Sequence, residues 1–263
     1  MNILDRIVVR KKEEVALAKK LVSIKELEEG TYFNRTPYLL KDFMLDPERT
    51  GIIAEFKRRS PSKGVINDHS TVVEVTNGYA AAGASAISVL TDIDFFGGHP
   101  NDLLEARAAN EVPLLRKDFM IDEYQIVEAK GLGADIILLI AAILTPEQID
   151  TFSGLAKDLG LNTLLEVHNL EELKRSIHPN IDAIGVNNRN LTDFSVSIQT
   201  SFDLIKEIPD GFLKVSESAI SDPKVINQLK SAGFNGFLIG ENFMKTSNPG
   251  AAMQQFTQEM ISV

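Results

Sequence analysis

The chain has 263 residues, of which 44% are hydrophobic and 24% are charged, as is usual for globular proteins. Its formal net charge of −10 argues against nonspecific binding to nucleic acid, which needs a basic face. Cysteine is absent and the four histidines show no HxxxH or HxH spacing, so disulfides and thiolate nucleophiles are excluded and no metal site is expected.

Two further patterns concern location. No apolar run reaches the roughly 18 residues that a membrane-spanning helix requires. The N-terminal stretch MNILDRIVVRKKEEV is too charged for a secretory signal. We therefore expect a cytoplasmic protein that does not bind membranes.

The first 50 residues differ from the rest of the chain. Their apolar residues are separated by dense charge, at Ile3, Ile7, Val8, Val15 and Leu17. This pattern predicts one or two amphipathic helices over residues 1–50, packed on the remainder. Two interpretations of residues 1–50 stay open: a functional cap and a polar surface extension.

From residue 51 onward, short apolar runs alternate with helical patterns. Continuous apolar character suits parallel strands that are covered on both faces. The runs are GIIAEF, SAISVLT, VPLLRKDF, DIILLIAA, NTLLEVH, IDAIGVNN, FLKVSES and GFLIGE. Eight strand–helix units predict a (β/α)8 TIM barrel, an α/β fold, as a single domain over residues 51–263. An open doubly wound sheet is the alternative, but the GxGxxG that usually follows its first strand is absent.

Polar residues recur at the ends of the predicted strands, which is where barrels hold their active sites. Glu55 and Lys57 lie two residues apart and therefore share a face, as do Lys117 and Phe119. Later strands end with Glu166, with Asn187 and Arg189, with Glu217 and Ser218, and with Gly240 and Glu241. Charges placed so close together are costly without a ligand or mutual pairing, so the strand ends predict a ligand site.

Nearby charged residues receive other interpretations. Asp118 faces away from Lys117 and is expected to support a loop. His168 also ends a strand, but without a visible partner it is interpreted as structural. Arg58, Arg59 and Lys63 are expected to face solvent, where they would attract a polyanionic substrate.

The strand-end segments resemble the indole-3-glycerol phosphate synthase family. In chain order they are AEFKRRSPSKG (54–64), FFGG (95–98), LLRKDF (114–119), LLEVH (164–168), GVNNRNL (185–191), SESAI (216–220) and IGENFM (239–244). The resemblance covers the whole barrel and the helical extension, and the ExKxxSPS and LxKDF motifs are specific. One departure is Ala219, where the family usually has glycine.

The resemblance implies a ring closure. The substrate, 1-(2-carboxyphenylamino)-1-deoxyribulose 5-phosphate, would lose CO2 and water to give indole-3-glycerol phosphate, by acid–base catalysis and without a cofactor. The expected partner is thus a small phosphorylated molecule rather than nucleic acid or a membrane. The protein itself is expected to be a monomer or a weak homodimer.

The resemblance also implies catalytic roles. Lys117 would be the acid that protonates the ribulose carbonyl, with its pKa lowered toward working pH by partial desolvation. Glu166 would be the general base. The remaining catalytic candidates are Glu55, Lys57, Asn187 and Glu217. The division of proton transfer between Lys117 and Lys57 stays open.

The implied binding residues form two groups. Arg189 suits the anthranilate carboxylate because its planar guanidinium can bind it bidentately. Further substrate-binding candidates are Ser60, Phe96, Phe119, Leu138 and Ser218. The phosphate is expected between the loops after the last two strands, at Lys57, Ala219, Gly240 and Glu241. Ala219 would then need a negative φ, and the Glu241 side chain would need to turn away.

Two alternatives remain at this point. Phosphoribosylanthranilate isomerase shares the fold, but it typically uses a cysteine base, which this chain lacks. A non-catalytic barrel that binds a phosphorylated metabolite would be expected to lose the acid–base residues. Lys117 and Glu166 are both present.

Overall fold

A computed structural model describes residues 2–190 and 194–261 of the chain. Three helices precede the first strand: α1 (Ile3–Leu21), α2 (Ile24–Glu28) and α3 (Leu40–Met44). The first two begin at capping boxes, in which Asn2 and Ser23 accept from backbone N–H groups. The sequence predicted one or two helices. In α1, Ile7 and Val15 are buried, whereas Leu17 is exposed.

Eight parallel strands close into a barrel, which confirms the predicted (β/α)8 fold. Each strand pairs with its neighbours in chain order, and β8 pairs with β1 to complete the ring. The strands are β1 (Ile52–Phe56), β2 (Ala86–Leu90), β3 (Leu114–Lys117), β4 (Ile136–Ile140), β5 (Asn162–Val167), β6 (Ala183–Asn187), β7 (Leu213–Glu217) and β8 (Gly236–Ile239).

Helices follow the strands around the outside of the barrel. They are α4 (Val72–Ala81), α5 (Pro100–Ala109), α6 (Glu123–Gly131), α7 (Pro146–Asp158), α8 (Leu170–Ser176), α9 (Gln199–Leu204), α10 (Pro223–Ala232), α11 (Glu241–Met244) and α12 (Pro249–Ile261). Two of them begin where the sequence places a cap before proline: Thr145 caps α7 and Asp222 caps α10.

The alternation of side chains along the strands creates two apolar layers. Outward residues such as Phe56 and Val89 pack against the helices. Inward residues such as Ile53 and Leu115 fill the barrel interior, together with Leu40 and Met44 of α3. The helices before β1 thus contribute to the interior core, and the ligand site is left at the carboxyl ends of the strands.

Within the part of the chain that the structure describes, no helix is both long enough and apolar enough to cross a membrane.

Candidate active site

Side chains on a strand alternate between its two faces, and this period of two residues decides which polar side chains form the floor of the site. On β1, β3, β5 and β7, a polar residue follows an inward apolar residue by two positions: Glu55 after Ile53, Lys117 after Leu115, Glu166 after Leu164, and Glu217 after Val215. These polar side chains line a cavity of about 550 Å³ at the carboxyl ends of the strands.

All fifteen site residues predicted from the sequence line this cavity. They are Glu55, Lys57, Ser60, Phe96, Lys117, Phe119, Leu138, Glu166, Asn187, Arg189, Glu217, Ser218, Ala219, Gly240 and Glu241. The structure therefore brings the predicted residues together, while their individual roles stay predictions. Leu191, the last residue of the GVNNRNL motif, lies outside the described residues.

Lys117 lies at the centre of a group of carboxylates. Its ammonium is 3.1 Å from Oε2 of Glu166 and 3.3 Å from Oε2 of Glu217. Burial disfavours the charged amine, but Glu166, Glu217 and Glu55 outweigh this effect and raise the pKa of Lys117 above its ordinary value. The expectation of a lowered pKa is thus wrong, because the neighbouring negative charges dominate. Lys117 is an ammonium ion at neutral pH.

The two carboxylates that contact Lys117 differ in their surroundings. Burial would raise the pKa of Glu166, but Lys117, His168 and the 3.2 Å hydrogen bond from Asn187 Nδ2 hold it below its usual range. Burial, reinforced by the nearby negative charge of Glu166, raises the pKa of Glu217 to about 7. Glu217 Oε1 is buried without a hydrogen-bond partner. Glu166 is therefore ionised at neutral pH, and Glu217 titrates near neutrality.

Gly185 makes room for Glu217. A Cβ at position 185 would collide with the Glu217 carboxylate. Gly185 is not among the site residues predicted from the sequence. Its place on β6, two residues before Asn187 and hence on the same face, was the available signal.

His168 has two carboxylate partners that the sequence did not reveal, and its interpretation as a structural residue stays a prediction. Its Nε2 is 3.3 Å from Glu166 Oε1, and its Nδ1 is 3.0 Å from Glu172 Oε2. Burial opposes the charged ring, but the two carboxylates raise the pKa of His168 to about 10. His168 lies two residues after Glu166, and this spacing already indicated a shared face.

Glu55 and Lys57 form a second charged pair in the cavity at the carboxyl ends of the strands, which we call the mouth of the barrel. The Lys57 ammonium contacts Glu55 Oε1. Gly240 lies beside this pair, and a Cβ there would approach Glu55 Oε1 to 2.5 Å. A side chain at position 240 would therefore displace Glu55 as well as any ligand that approaches the Gly240 backbone.

The turn after β7 is strained. Ser218 and Ala219 have φ values of 68° and 63°, so the condition of a negative φ at Ala219 is not met and the alanine is in the strained conformation. Asn188 supports the turn, because its Nδ2 donates to the carbonyl oxygens of Glu217 and Ser218 at 3.0 and 3.2 Å. Nothing in the sequence pattern pointed to Asn188 in this supporting role.

Glu241 is the first residue of α11, directly after Gly240. Its carboxylate lies 3.6 Å from Lys63 and 3.7 Å from Arg189. The expectation that its side chain turns away from the site is wrong, because two cations hold it at the mouth. These two contacts link the loop after β1 to the loop after β6.

The loop after β1 contains a small hairpin, Arg59–Ser60 paired with Gly64–Val65. Lys63 on it is largely exposed, as predicted. Arg58 instead donates through both terminal nitrogens to Asp102 on α5, at 2.5 and 2.8 Å. Arg59 is partly buried and donates to the backbone oxygen of Asp94. The two arginines therefore anchor the loop, and the expectation that they face solvent is wrong.

One wall of the cavity is aromatic. The rings of Phe96 and Phe119 lie 5.9 Å apart and are tilted by 38°. Asp92 accepts from the backbone N–H of Phe96 at 3.2 Å, and Asp118 accepts from that of Phe119 at 2.8 Å. The prediction that Asp118 supports a loop is consistent with these bonds.

Lys11 joins the two aspartates behind this wall. The α1 residue is buried, and its ammonium lies 2.9 Å from both Asp92 and Asp118. Lys11 is not among the residues predicted from the sequence, because its partners are remote in the chain and it resembles the exposed lysines around it.

Metal ligation has no support among residues 2–190 and 194–261, where no three histidine or acidic side chains are grouped so that they could hold an ion.

Comparison with known proteins agrees with this geometry. The family model for indole-3-glycerol phosphate synthase matches residues 4–256. The chain belongs to the indole-3-glycerol phosphate synthase family. Two curated proteins with this name are similar to it over 97% of the chain: that of Bacteroides thetaiotaomicron is 49% identical over 97% of its own length, and that of Acidovorax sp. strain JS42 is 42% identical over 98%. The resemblance seen in the motifs is thus confirmed.

Solved structures support the fold alone. The chain is similar to 3-hexulose-6-phosphate synthase from Salmonella typhimurium, with a TM-score of 0.64 and 12% identity over 81% of this chain and 99% of that one. The tryptophan synthase complex from Pyrococcus furiosus gives a TM-score of 0.60 and 16% identity over 82% and 99%. At these identities the barrel is shared, while the chemistry has to be argued from the site.

Proposed function

We propose that the chain converts 1-(2-carboxyphenylamino)-1-deoxyribulose 5-phosphate to indole-3-glycerol phosphate, CO2 and water. One observation carries the chemistry: a buried ammonium, Lys117, lies between an ionised base, Glu166, and a carboxyl group that titrates near neutrality, Glu217. Together with the family assignment, this arrangement supports an acid–base enzyme of the carboxy-lyase class.

In the first step, the ring carbon that bears the carboxylate attacks the ribulose carbonyl. The Lys117 ammonium protonates the carbonyl oxygen as the carbon–carbon bond forms. A ligand that enters the cavity separates Lys117 from part of its carboxylate shell, which weakens its hold on the proton. Loss of CO2 then returns the electron pair to the ring.

In the second step, the new hydroxyl leaves as water and Glu166 removes a proton from the methylene group beside the nitrogen. The Asn187 amide and the His168 ring orient the Glu166 carboxylate. Glu217, with a pKa near 7, is suited to donate to the departing hydroxyl at neutral pH. Lys57, paired with Glu55, is the second candidate for that donation.

The two anionic groups of the substrate are assigned to opposite parts of the mouth. Arg189 binds the carboxylate, and the aromatic ring lies against Phe96 and Phe119. The phosphate lies near Ala219 and Gly240, with Lys57 as counter-charge. Glu241 must then release its contacts with Lys63 and Arg189, because two negative groups would repel each other at this place.

The assignments of partner and location stay proposals too. The cavity suits a small phosphorylated substrate, and the acidic net charge of −10 disfavours nucleic acid. We propose a cytoplasmic enzyme that acts as a monomer or weak homodimer.

The test is direct. Purified protein is mixed with the carboxyphenylamino-deoxyribulose phosphate, and indole absorbance is followed. We expect catalytic turnover in the wild type and a kcat lower by about 10²–10⁴-fold in Glu166→Gln, with a smaller change in KM. Substrate binding in a calorimeter without indole formation would instead indicate a metabolite-binding barrel.

A further inference from the structure

The proposed reaction consumes a proton. The substrate carries an ionised carboxylate and a phosphate, whereas the product keeps only the phosphate and CO2 and water are neutral. Two protons go to the substrate oxygen, one as the carbonyl becomes a hydroxyl and one as the hydroxyl leaves as water. One proton is removed from the methylene group. The acid–base groups of the mouth therefore end each turnover one proton short.

The missing proton has to reach the floor of the site. The Lys117 side chain is only 13% exposed. It lies beneath the cavity that the substrate and product occupy, so a bound product covers it. A return through the mouth must therefore wait for product to leave.

A chain of titratable side chains leads from Lys117 to a second cavity beside the main one, and the two cavities share Leu4, Asn187 and Arg189 among their lining residues. Lys117 Nζ is 3.1 Å from Glu166 Oε2, and Glu166 Oε1 is 3.3 Å from His168 Nε2. His168 Nδ1 is in turn 3.0 Å from Glu172 Oε2. The first and last of these contacts are hydrogen bonds, whereas the Glu166–His168 contact is an ion pair without hydrogen-bond alignment.

The outer end of this chain faces a second cavity. That cavity has a volume of about 400 Å³, and both His168 and Glu172 line it. Glu166 lines the main cavity instead. Other walls of the second cavity are polar, including Asn169, Ser197 and Thr200, and polar cavities of this size hold water. Glu166 and His168 thus connect two water-accessible spaces.

We propose that His168 and Glu172 return the consumed proton to the catalytic floor from the second cavity. This inference rests on the proposed function. Glu166 first returns the methylene proton to the neutral amine of Lys117, so Glu217, the donor to the departing hydroxyl, is the group left one proton short. Lys117 passes a proton to Glu217, 3.3 Å away. The Nε2–H bond of the His168 imidazolium then breaks as an O–H bond forms on Glu166, and Glu166 protonates the neutral amine of Lys117 again. Water in the second cavity gives a proton to the neutral ring, held by Glu172, and rotation of the ring presents a protonated nitrogen to Glu166 again.

The charges around His168 fit this role. Carboxylates face both ring nitrogens, from Glu166 on β5 and Glu172 on α8, and Arg189 lines the second cavity. Against the effect of burial, the two carboxylates keep the ring protonated at neutral pH. While Lys117 is charged, it holds the pKa of Glu166 low. Once Lys117 has lost its proton, that effect disappears and Glu166 becomes a better acceptor for the His168 proton.

The experiment compares one turnover with many. His168→Asn and, as a milder variant that keeps the ring, Glu172→Gln are assayed with enzyme in excess and with substrate in excess. The first turnover needs no returned proton, whereas the steady state does. In each variant we expect the steady-state rate to fall more than the first-turnover rate. In His168→Asn the steady-state rate should fall by about tenfold or more relative to the first-turnover rate. Imidazole in the buffer should restore part of the lost steady-state rate. His178→Asn, at a histidine that pairs with Asp150, is the matched control and should change neither rate.

The outcomes separate the relay from its alternatives. Equal loss of both rates without rescue by imidazole would mean that His168 only positions Glu166, and unchanged rates in both variants would equally overturn the relay. If His168→Asn does not fold, Glu172→Gln decides alone. Failure of the wild type to give any first turnover would reject the proposed function itself, and this result is distinguishable from all the others.

Discussion

Two regions of this molecule each bury a lysine among carboxylates. In the catalytic mouth, Lys117 lies between Glu166 and Glu217 at 3.1 and 3.3 Å. At the junction between α1 and the barrel, Lys11 lies 2.9 Å from both Asp92 and Asp118 and 2.6 Å from Glu14. In both regions the carboxylates outweigh burial and raise the pKa of the lysine.

The two regions differ in how completely their carboxylates are bonded. At the junction, Asp118 Oδ1 accepts from the backbone N–H of Phe119, and Oδ2 accepts from Thr91 at 2.5 Å. Burial would raise the pKa of Asp118, but Lys11 and Arg116 lower it to about 2. In the mouth, Glu217 Oε1 is buried without a hydrogen-bond partner and the pKa of Glu217 is raised to about 7. Asp92 Oδ2 at the junction is also buried without a hydrogen bond, but it lies 2.9 Å from the Lys11 ammonium, whereas the ion pair of Glu217 is made through its other oxygen, Oε2. The junction carboxylates are therefore more completely paired than Glu217 in the mouth.

This difference separates structural from reactive charge. A fully paired cluster has no capacity left for a ligand and fixes the position of the elements that carry it. A cluster with an unpaired oxygen, a group that titrates near neutrality and an open side keeps that capacity. A count of buried charged side chains would not distinguish the two regions. The difference appears only when the partners of each carboxylate oxygen are compared.

The largest expected effect is on activity. Lys117→Ala should lower kcat/KM by about 10²–10⁴-fold, because the acid of the first step is lost. The fold should survive, since the cavity lets water hydrate the remaining carboxylates. Steady-state kinetics and near-ultraviolet circular dichroism check both statements. A folded variant with activity close to that of the wild type would remove Lys117 from its role as the acid.

Lys11→Met should act mainly on stability. Removal of the ammonium leaves Asp92 and Asp118 buried without it, and the free energy of unfolding should fall by about 3–5 kcal/mol. Urea unfolding measures this change. The neighbouring Lys12 is exposed, so Lys12→Met is the control and should change little. Equal effects of the two substitutions would contradict the assignment of the junction as a structural cluster.

His168→Asn should reveal a pH-dependent part of the stability. The two carboxylates raise the pKa of His168 to about 10, above its value of about 6.5 in the unfolded chain. A raised pKa stabilises the fold fully below the unfolded value, and this stabilisation is lost as pH rises through the folded value. The variant should therefore be less stable by about 2 kcal/mol at pH 6, with the difference shrinking toward pH 10. Denaturant titrations across this range test the sign, and a constant difference would exclude the charged imidazole as its cause.

Ala219→Gly should give the smallest effect and the opposite sign. Glycine relieves the positive φ of 63°. This relief exceeds the entropy that glycine adds to the unfolded chain, so the free energy of unfolding should rise by about 0.5–1 kcal/mol. Ala251→Gly, at an exposed position of α12, is the control and should lower it by a similar amount. A loss of stability at both positions would show that the turn in the mouth is not strained.

The sequence by itself determined the barrel and the floor of its site. The apolar runs specify buried parallel strands, and the two-residue period then decides which side chains enter the barrel. This local rule is sufficient to place Glu55, Lys117 and Glu166 in one mouth. The same rule indicates that Glu166 and His168, two residues apart, share a face, although the interpretation of His168 from the sequence did not include this pairing.

Only the tertiary structure decided the electrostatics and the strain of the mouth. The pKa of Lys117 is raised rather than lowered because Glu166 and Glu217, from other strands, surround it. Arg58 reaches Asp102 rather than solvent, and Lys11 reaches Asp92 across the junction. The φ of Ala219 depends on how the loops after β6 and β7 pack, through Asn188. Periodicity is a property of neighbouring residues, whereas these features depend on distances between residues that are far apart in the chain.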